Sequence, residues 1–153
     1  MQTFLPYPNF VDSAKCLDRQ RLGKQRVECL QILNALLGAR SGWANHPAVK
    51  MWRNHETALA VYGWHMCEEW TGRGYKDTCK DKILKFIWDQ PLTSEHYAAI
   101  VANPDMYTGF LPKWLGDDAF HASHRSNLLR KNYGHYSQFG WTEDPYLPYV
   151  WPA

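Results

Sequence analysis

The stretch KCLDRQRLGKQRVECLQILNALL, residues 15–37, restricts the fold of this chain more than any other. Its second half repeats apolar residues at helical spacing, namely Val27, Leu30, Leu33 and Leu37. Gly38 follows as a stop signal, and Asp12 or Ser13 can cap the start. We therefore predict a first helix from that cap to about Leu37, with a kink or a close backbone approach at Gly23.

The first half of the same stretch is basic. Its cations are Lys15, Arg19, Arg21, Lys24 and Arg26, and its single acid is Asp18. Helical spacing places Arg21, Lys24, Glu28 and Gln31 on one stripe. This stripe is either a solvated face with a Lys24–Glu28 pair or a carboxylate set among phosphate-binding cations. A concave site around Glu28 would favour the second interpretation.

The remaining pattern predicts a mainly α, compact single-domain fold over residues 1–153. A second helical region starts with Asn45 as its cap candidate and Pro47 in its first turn, and it ends at the TGRG breaker. Its helical pattern is weak near residues 53–56, where it can divide into two helices. Further helices are predicted over Asp77–Trp88, over Ser94–Val101, and from Asp117 or Asp118 to Asn132. The proline- and aromatic-rich termini predict irregular arms that pack on the helices.

Composition excludes some classes of protein and leaves others open. The formal net charge of +2 is mild, but the cations cluster at 15–26 and 124–131, as in a nucleic-acid binder. No apolar run reaches the roughly 18 residues of a membrane span, and the four cysteines form no CxxC pair. We expect buried free thiols and a cytoplasmic, nucleoid-associated protein. The 23 aromatic residues either fill a core or, beside a basic groove, stack on bases.

Two histidine-containing motifs carry further hypotheses. The segment HASHRSNLLRK, residues 121–131, supplies His121 and His124 as conceivable metal ligands beside Asp117 or Asp118, although the HExxH context is missing. Phosphate binding by its Arg, Ser and Asn side chains is the simpler interpretation, and a solvated helix competes with it. His46 stands at a helix N-terminus, where an anion is favoured.

Together these motifs resemble the pyrimidine-dimer DNA glycosylases of the phage endonuclease V type and their bacterial relatives. The resemblance rests on the N-terminal arm with Tyr7, Pro8 and Asp12, on the Glu28 helix, on GWANHP before a long helix that ends in RGY, and on the basic C-terminal helix. It covers residues 1–75 well and the rest loosely.

The resemblance implies a helical glycosylase with an associated AP lyase step and no cofactor or metal. The nucleophile would be the α-amine, here on Met1, because Gln2 is too large for efficient methionine removal. Glu28 would stabilise the cationic sugar and assist proton removal at C2′. Relatives carry Arg before this glutamate, whereas this chain has Val27, so Arg26 or Arg21 would take that role.

We therefore expect a monomeric DNA repair enzyme that binds double-stranded DNA containing a damaged or modified pyrimidine. The predicted catalytic residues are Met1 and Glu28. The predicted DNA-binding residues are Arg19, Arg21, Lys24, Arg26, His46, Arg125, Arg130 and Lys131. The alternatives are a binding module without chemistry and a metal-dependent nuclease that uses His121, His124 and an Asp.

Overall fold

A computed structural model describes residues 1–37, 42–86 and 111–152. The helices in these ranges are α1 (Phe10–Cys16), α2 (Arg19–Leu36), α3 (Pro47–Lys50), α4 (Glu56–Gly72), α5 (Lys80–Leu84), α6 (Asp118–Lys131) and α7 (Tyr133–Tyr136), followed by a 3₁₀ turn at Ser137–Phe139. No strand occurs in the described ranges, so the predicted mainly α class is confirmed. The helix predicted over Ser94–Val101 lies outside the described residues.

The first predicted helix is two helices, and its predicted start was wrong. Asn9, rather than Asp12 or Ser13, caps α1 by accepting a hydrogen bond from the Asp12 amide at 3.0 Å. The chain is extended at Leu17 and Asp18 before α2 begins. Tyr136 fixes this break, because its hydroxyl bonds the Asp18 carboxylate and accepts from the Asp18 amide.

The second predicted helical region is two helices, which are separated near residues 53–56, where the helical pattern is weak. His46, not the expected Asn45, caps α3, with Pro47 at the first helical position. Asn54 then adopts a left-handed φ of 68° between α3 and α4, a conformation that asparagine tolerates better than most residues. The predicted breaker is confirmed, because α4 ends at Gly72.

The helix predicted from Asp77 starts later than expected. Asp77 lies before α5 and accepts hydrogen bonds from the amides of Cys79 and Lys80, at 3.2 and 2.8 Å. It therefore acts as a turn and cap residue. The predicted continuation to Trp88 extends beyond the described residues.

The core forms where α2 crosses α4. Gly63 permits the close approach, since a Cβ at this position would stand 2.4 Å from the Cys29 sulfur. Gly23 faces the ring of Trp70. A Cβ added at Gly23 would lie 3.1 Å from that ring, which confirms the predicted close approach. The four cysteines, Cys16, Cys29, Cys67 and Cys79, are buried and unpaired as predicted. No described helix is long and apolar enough to cross a membrane.

The N-terminal arm is fixed to α6, which is capped by Asp117 as predicted. The buried His124 accepts a hydrogen bond from the Leu5 amide at 2.9 Å, and His121 Nδ1 donates to the Leu5 carbonyl at 2.7 Å. The backbone N–H and C=O of Leu5 are therefore both held by one helix. Burial lowers the pKa of both histidines, which keeps them neutral for these roles.

The last residues, 141–152, form an irregular C-terminal strap across α6. Ser126 donates to the Asp144 carbonyl at 2.5 Å and accepts from the Leu147 amide at 3.0 Å. Asn127 donates to the Leu147 carbonyl at 3.1 Å. The polar stripe of α6, which the sequence suggested for phosphate binding, instead holds this strap, so that expectation was wrong for Ser126 and Asn127.

Candidate functional site

The N-terminus and the predicted carboxylate meet at the surface of α2. The Gln2 amide donates to Glu28 Oε2 at 3.4 Å. Since backbone nitrogens of neighbouring residues lie no more than about 3.7 Å apart, the Met1 amine is within about 7 Å of that oxygen. A charged or reacting group of modest size can therefore contact both.

A cavity of about 280 Å³ contains this pair. Its lining residues are Met1, Gln2, Phe4, Gln20, Arg21, Lys24, Gln25, Glu28, Lys131 and Tyr149. A wider cavity of about 880 Å³ adjoins it and shares Gln20, Lys24 and Glu28. Glu28 thus lies in a concave site, the condition that favours a functional carboxylate over a solvated helix face.

Cations from two helices surround Glu28. Arg21 and Lys24 come from α2, and Lys131 comes from the end of α6. Partial desolvation, together with Arg21, Arg130 and Lys24, lowers the pKa of Lys131, whereas Glu28 acts in the opposite direction. Because like charges repel at this rim, an incoming phosphate would relieve the repulsion.

His46 borders the same region from α3. Burial lowers its pKa, the N-terminal ammonium lowers it further, and Glu28 raises it. Its Nδ1 accepts from the Ala48 amide at 3.0 Å, which requires a neutral ring in this tautomer. Its ring meets Trp151 edge-on at 6.0 Å.

The C-terminal strap adds Tyr149 to the cavity wall. Its ring contacts Phe4 and His124, with centroids 6.5 and 5.7 Å away. Burial raises the pKa of its hydroxyl to about 12, with Arg130 opposing and Glu28 reinforcing that shift. Tyr149 is therefore a neutral hydroxyl beside the carboxylate at physiological pH.

Comparison with known families identifies the first half of the chain. A family model described as pyrimidine dimer DNA glycosylase matches residues 1–83. The chain belongs to the pyrimidine dimer DNA glycosylase family. Searches of curated proteins and of solved structures gave no match.

Membership of this family assigns the chain to the DNA repair glycosylases and makes DNA containing pyrimidine dimers its expected partner. The matched region includes Met1, Glu28 and His46, whereas Lys131 and Tyr149 lie beyond it. The cavity is therefore completed by a part of the chain that the family model does not cover.

Several predicted DNA-binding residues have partners within the protein. Arg26 pairs with Asp77 and stacks on Trp70, 4.4 Å from the ring centroid. Arg125 pairs with Glu143 at 2.5 Å and donates to the Pro6 carbonyl at 2.8 Å. These two guanidinium groups hold the fold together, so the structure does not place them at the cavity.

Arg21 also has a partner, since it pairs with Asp18 at 3.1 Å and its side chain is 18% exposed. Two other predicted cations lie on the surface. Arg19 is exposed, lines the wider cavity and lies 5.0 Å from the Tyr75 ring centroid. Arg130 is exposed as well, although it contacts Asn127 and donates to the Pro145 carbonyl. Both can meet a polyanion without unfolding any element.

The metal site of the nuclease alternative is not assembled. Both nitrogens of His121 are engaged, one with Leu5 and the other as acceptor for the Gly116 amide at 2.9 Å. Among the residues that the structure describes, no three His, Cys, Asp or Glu side chains gather in a group that could hold a metal ion.

Sequence reasoning missed five residues of the cavity wall, namely Gln2, Phe4, Gln20, Gln25 and Tyr149. Gln25 precedes Glu28 by three residues, a spacing that already places both on one helix face. Tyr149 gave no comparable signal, because its position depends on how the C-terminal strap crosses α6.

Proposed function

We propose that this protein is a DNA glycosylase with an associated AP lyase activity, acting on damaged or modified pyrimidines in double-stranded DNA. One observation carries the proposal: the Met1 amine and the Glu28 carboxylate share one cavity with a rim of cations. A shared cavity of this kind supports the pairing of a nucleophile with an acidic partner.

In the proposed reaction the neutral Met1 amine attacks C1′ of the damaged nucleotide. The C1′–N glycosidic bond breaks, and the base leaves with a proton from the attacking amine. The C1′–O4′ bond of the sugar ring then opens, O4′ takes up a proton, and a protonated imine remains at C1′. Glu28 stabilises the cationic sugar and then takes a proton from C2′, so that the C3′–O bond breaks by β-elimination. Water finally releases the amine from the product.

The DNA strand would cross the cavity mouth along the cations of α2 and α6. Arg19, Arg21, Lys24, Arg130 and Lys131 are the phosphate contacts that the geometry supports best, with His46 at the edge. We leave Arg26 and Arg125 out of this set, because they pair with Asp77 and Glu143 and line neither cavity. Arg21 also pairs with an acid, Asp18, at 3.1 Å, but it lines the smaller cavity and stays in the set.

Borohydride trapping tests the covalent step directly. A protein with a free N-terminus should form a reduced adduct with lesion or abasic duplex DNA, and blocking the Met1 amine should abolish that adduct. Salt-dependent binding without adduct or strand cleavage would refute the catalytic proposal and leave a binding module.

A Glu28→Gln substitution tests the carboxylate. We expect DNA binding to persist and strand cleavage to fall by at least about 100-fold, in the range usual for a lost acid–base group. Glu68→Gln is a matched control, because Glu68 pairs with Lys80 at 3.1 Å and does not line the cavity. Unchanged cleavage by Glu28→Gln would remove Glu28 from the mechanism.

A further inference from the structure

Gln25 is a buried amide at the centre of the site. It lies in α2, three residues before Glu28, and is 1% exposed. A buried side-chain amide needs partners for both of its ends. The hydrogen bonds of Gln25 therefore report what holds it in place.

Each end of this amide contacts a different part of the site. Oε1 accepts from the Phe4 backbone amide at 2.9 Å and from the Tyr62 hydroxyl at 2.7 Å. Nε2 donates to Glu28 Oε2 at 3.1 Å. Gln25 thus joins the N-terminal arm, the core helix α4 and the Glu28 carboxylate.

The chemistry of the partners fixes the orientation of the amide. In the flipped orientation, Nε2 would face the Phe4 N–H, donor against donor, and Oε1 would face the carboxylate, acceptor against acceptor. Only the observed orientation satisfies all three contacts. The side chain consequently holds the arm and the carboxylate at one fixed separation.

The same carboxylate oxygen also meets the arm directly. Glu28 Oε2 accepts from Gln25 and from the Gln2 amide, which follows the Met1 amine by one residue. The placement of Glu28 beside the amine, which the proposed reaction needs, therefore depends on this contact set.

We propose that Gln25 is a positioning residue, which sets the distance between the Met1 amine and the Glu28 carboxylate. This inference rests on the proposed function. It assigns the residue no contact with DNA and no proton transfer of its own.

Gln25→Glu is the decisive substitution. The new carboxylate keeps an acceptor for Phe4 and Tyr62, but its second oxygen stands where Nε2 was, 3.1 Å from Glu28 Oε2. Two carboxylates at that separation cannot both ionise, so the pair retains a proton. In the pH profile of the single-turnover cleavage rate at abasic sites, we expect the fall in rate at low pH, the acid limb, to move up by at least about one pH unit.

Tyr62→Phe is the matched control, since it removes a donor from the same network without adding charge. We expect a lower rate with the acid limb unchanged. The inference is overturned if Gln25→Glu lowers the rate equally at every pH, as a purely structural defect would, or if Tyr62→Phe shifts the limb by the same amount.

A second measurement needs neither catalysis nor a folded Gln25→Glu variant. In NMR spectra of the unsubstituted protein, the side-chain amide protons of Gln25 should shift as Glu28 titrates, and this shift should vanish in Glu28→Gln. If the chemical shifts of these amide protons do not change as Glu28 titrates, the contact between Gln25 and Glu28 is refuted. Because absent trapping by the unsubstituted protein would refute only the proposed function, the two failures are distinguishable.

Discussion

Replacing His124 with asparagine should make the protein less sensitive to acid. His124 is fully buried in α6 and accepts the Leu5 amide proton through Nδ1. The Oδ1 atom of asparagine falls close to the position of Nδ1, so it can accept the same bond but cannot titrate. The variant therefore separates the hydrogen bond from the ionisation.

The magnitude follows from the pKa of His124. Burial lowers it from 6.5 to about 3. Between these values the unfolded chain binds a proton that the folded protein refuses, so the free energy of unfolding falls as the pH drops. At about 1.4 kcal/mol per pH unit below 6.5, the loss between pH 7 and pH 5 is about 2 kcal/mol.

Denaturant unfolding at pH 7 and pH 5, followed by tryptophan fluorescence at constant ionic strength, measures this difference. His124→Asn should be less stable at pH 7, because it loses the ring packing on Phe120, yet its stability should change about 2 kcal/mol less between the two pH values. His121, whose pKa is also lowered, retains its share of the acid sensitivity. An unaltered pH dependence in the variant would refute the reasoning.

Two further predictions concern packing and charge. Gly63→Ala should destabilise the protein by about 1–3 kcal/mol in thermal or denaturant unfolding, because the new Cβ would overlap the Cys29 sulfur. Gly72→Ala is the control, since a Cβ at that position meets nothing within 4 Å and should not destabilise the protein. Equal effects of the two substitutions would contradict this account. Lys24→Gln should weaken DNA binding and reduce the salt dependence of that binding by about one phosphate contact. Arg26→Gln should instead lower the melting temperature and leave the salt dependence of DNA binding unchanged. The reverse pattern would place Arg26 at the DNA.

Local signals in the sequence predicted much of the helical pattern. Asp117 as a cap, the TGRG breaker and the weak helical pattern before α4 are each determined by neighbouring residues, and each is confirmed. The break at Leu17 and Asp18 was missed, because its partner Tyr136 lies 118 residues away. No residue near Asp18 in the sequence indicates the contact with Tyr136.

The candidate site shows the same division. Helical spacing placed Lys24 and Glu28 together, and both line the cavity. Helical spacing could not predict the role of Arg26, because Arg26 forms an ion pair with Asp77, 51 residues later. Long-range ion pairs are a property of the fold, so a run of basic residues alone does not reveal which of them remain available.

The two histidines that hold the backbone N–H and C=O of Leu5 also make the candidate site depend on a distant part of the sequence. His124 follows Leu5 by 119 residues. Without α6 the arm keeps its contacts with α2, namely those of Gln2 with Glu28 and of Phe4 with Gln25, but it loses both contacts at Leu5. A fragment that stops before α6 would therefore carry the Met1 amine and Glu28 without Lys131 and Tyr149, which complete the cavity.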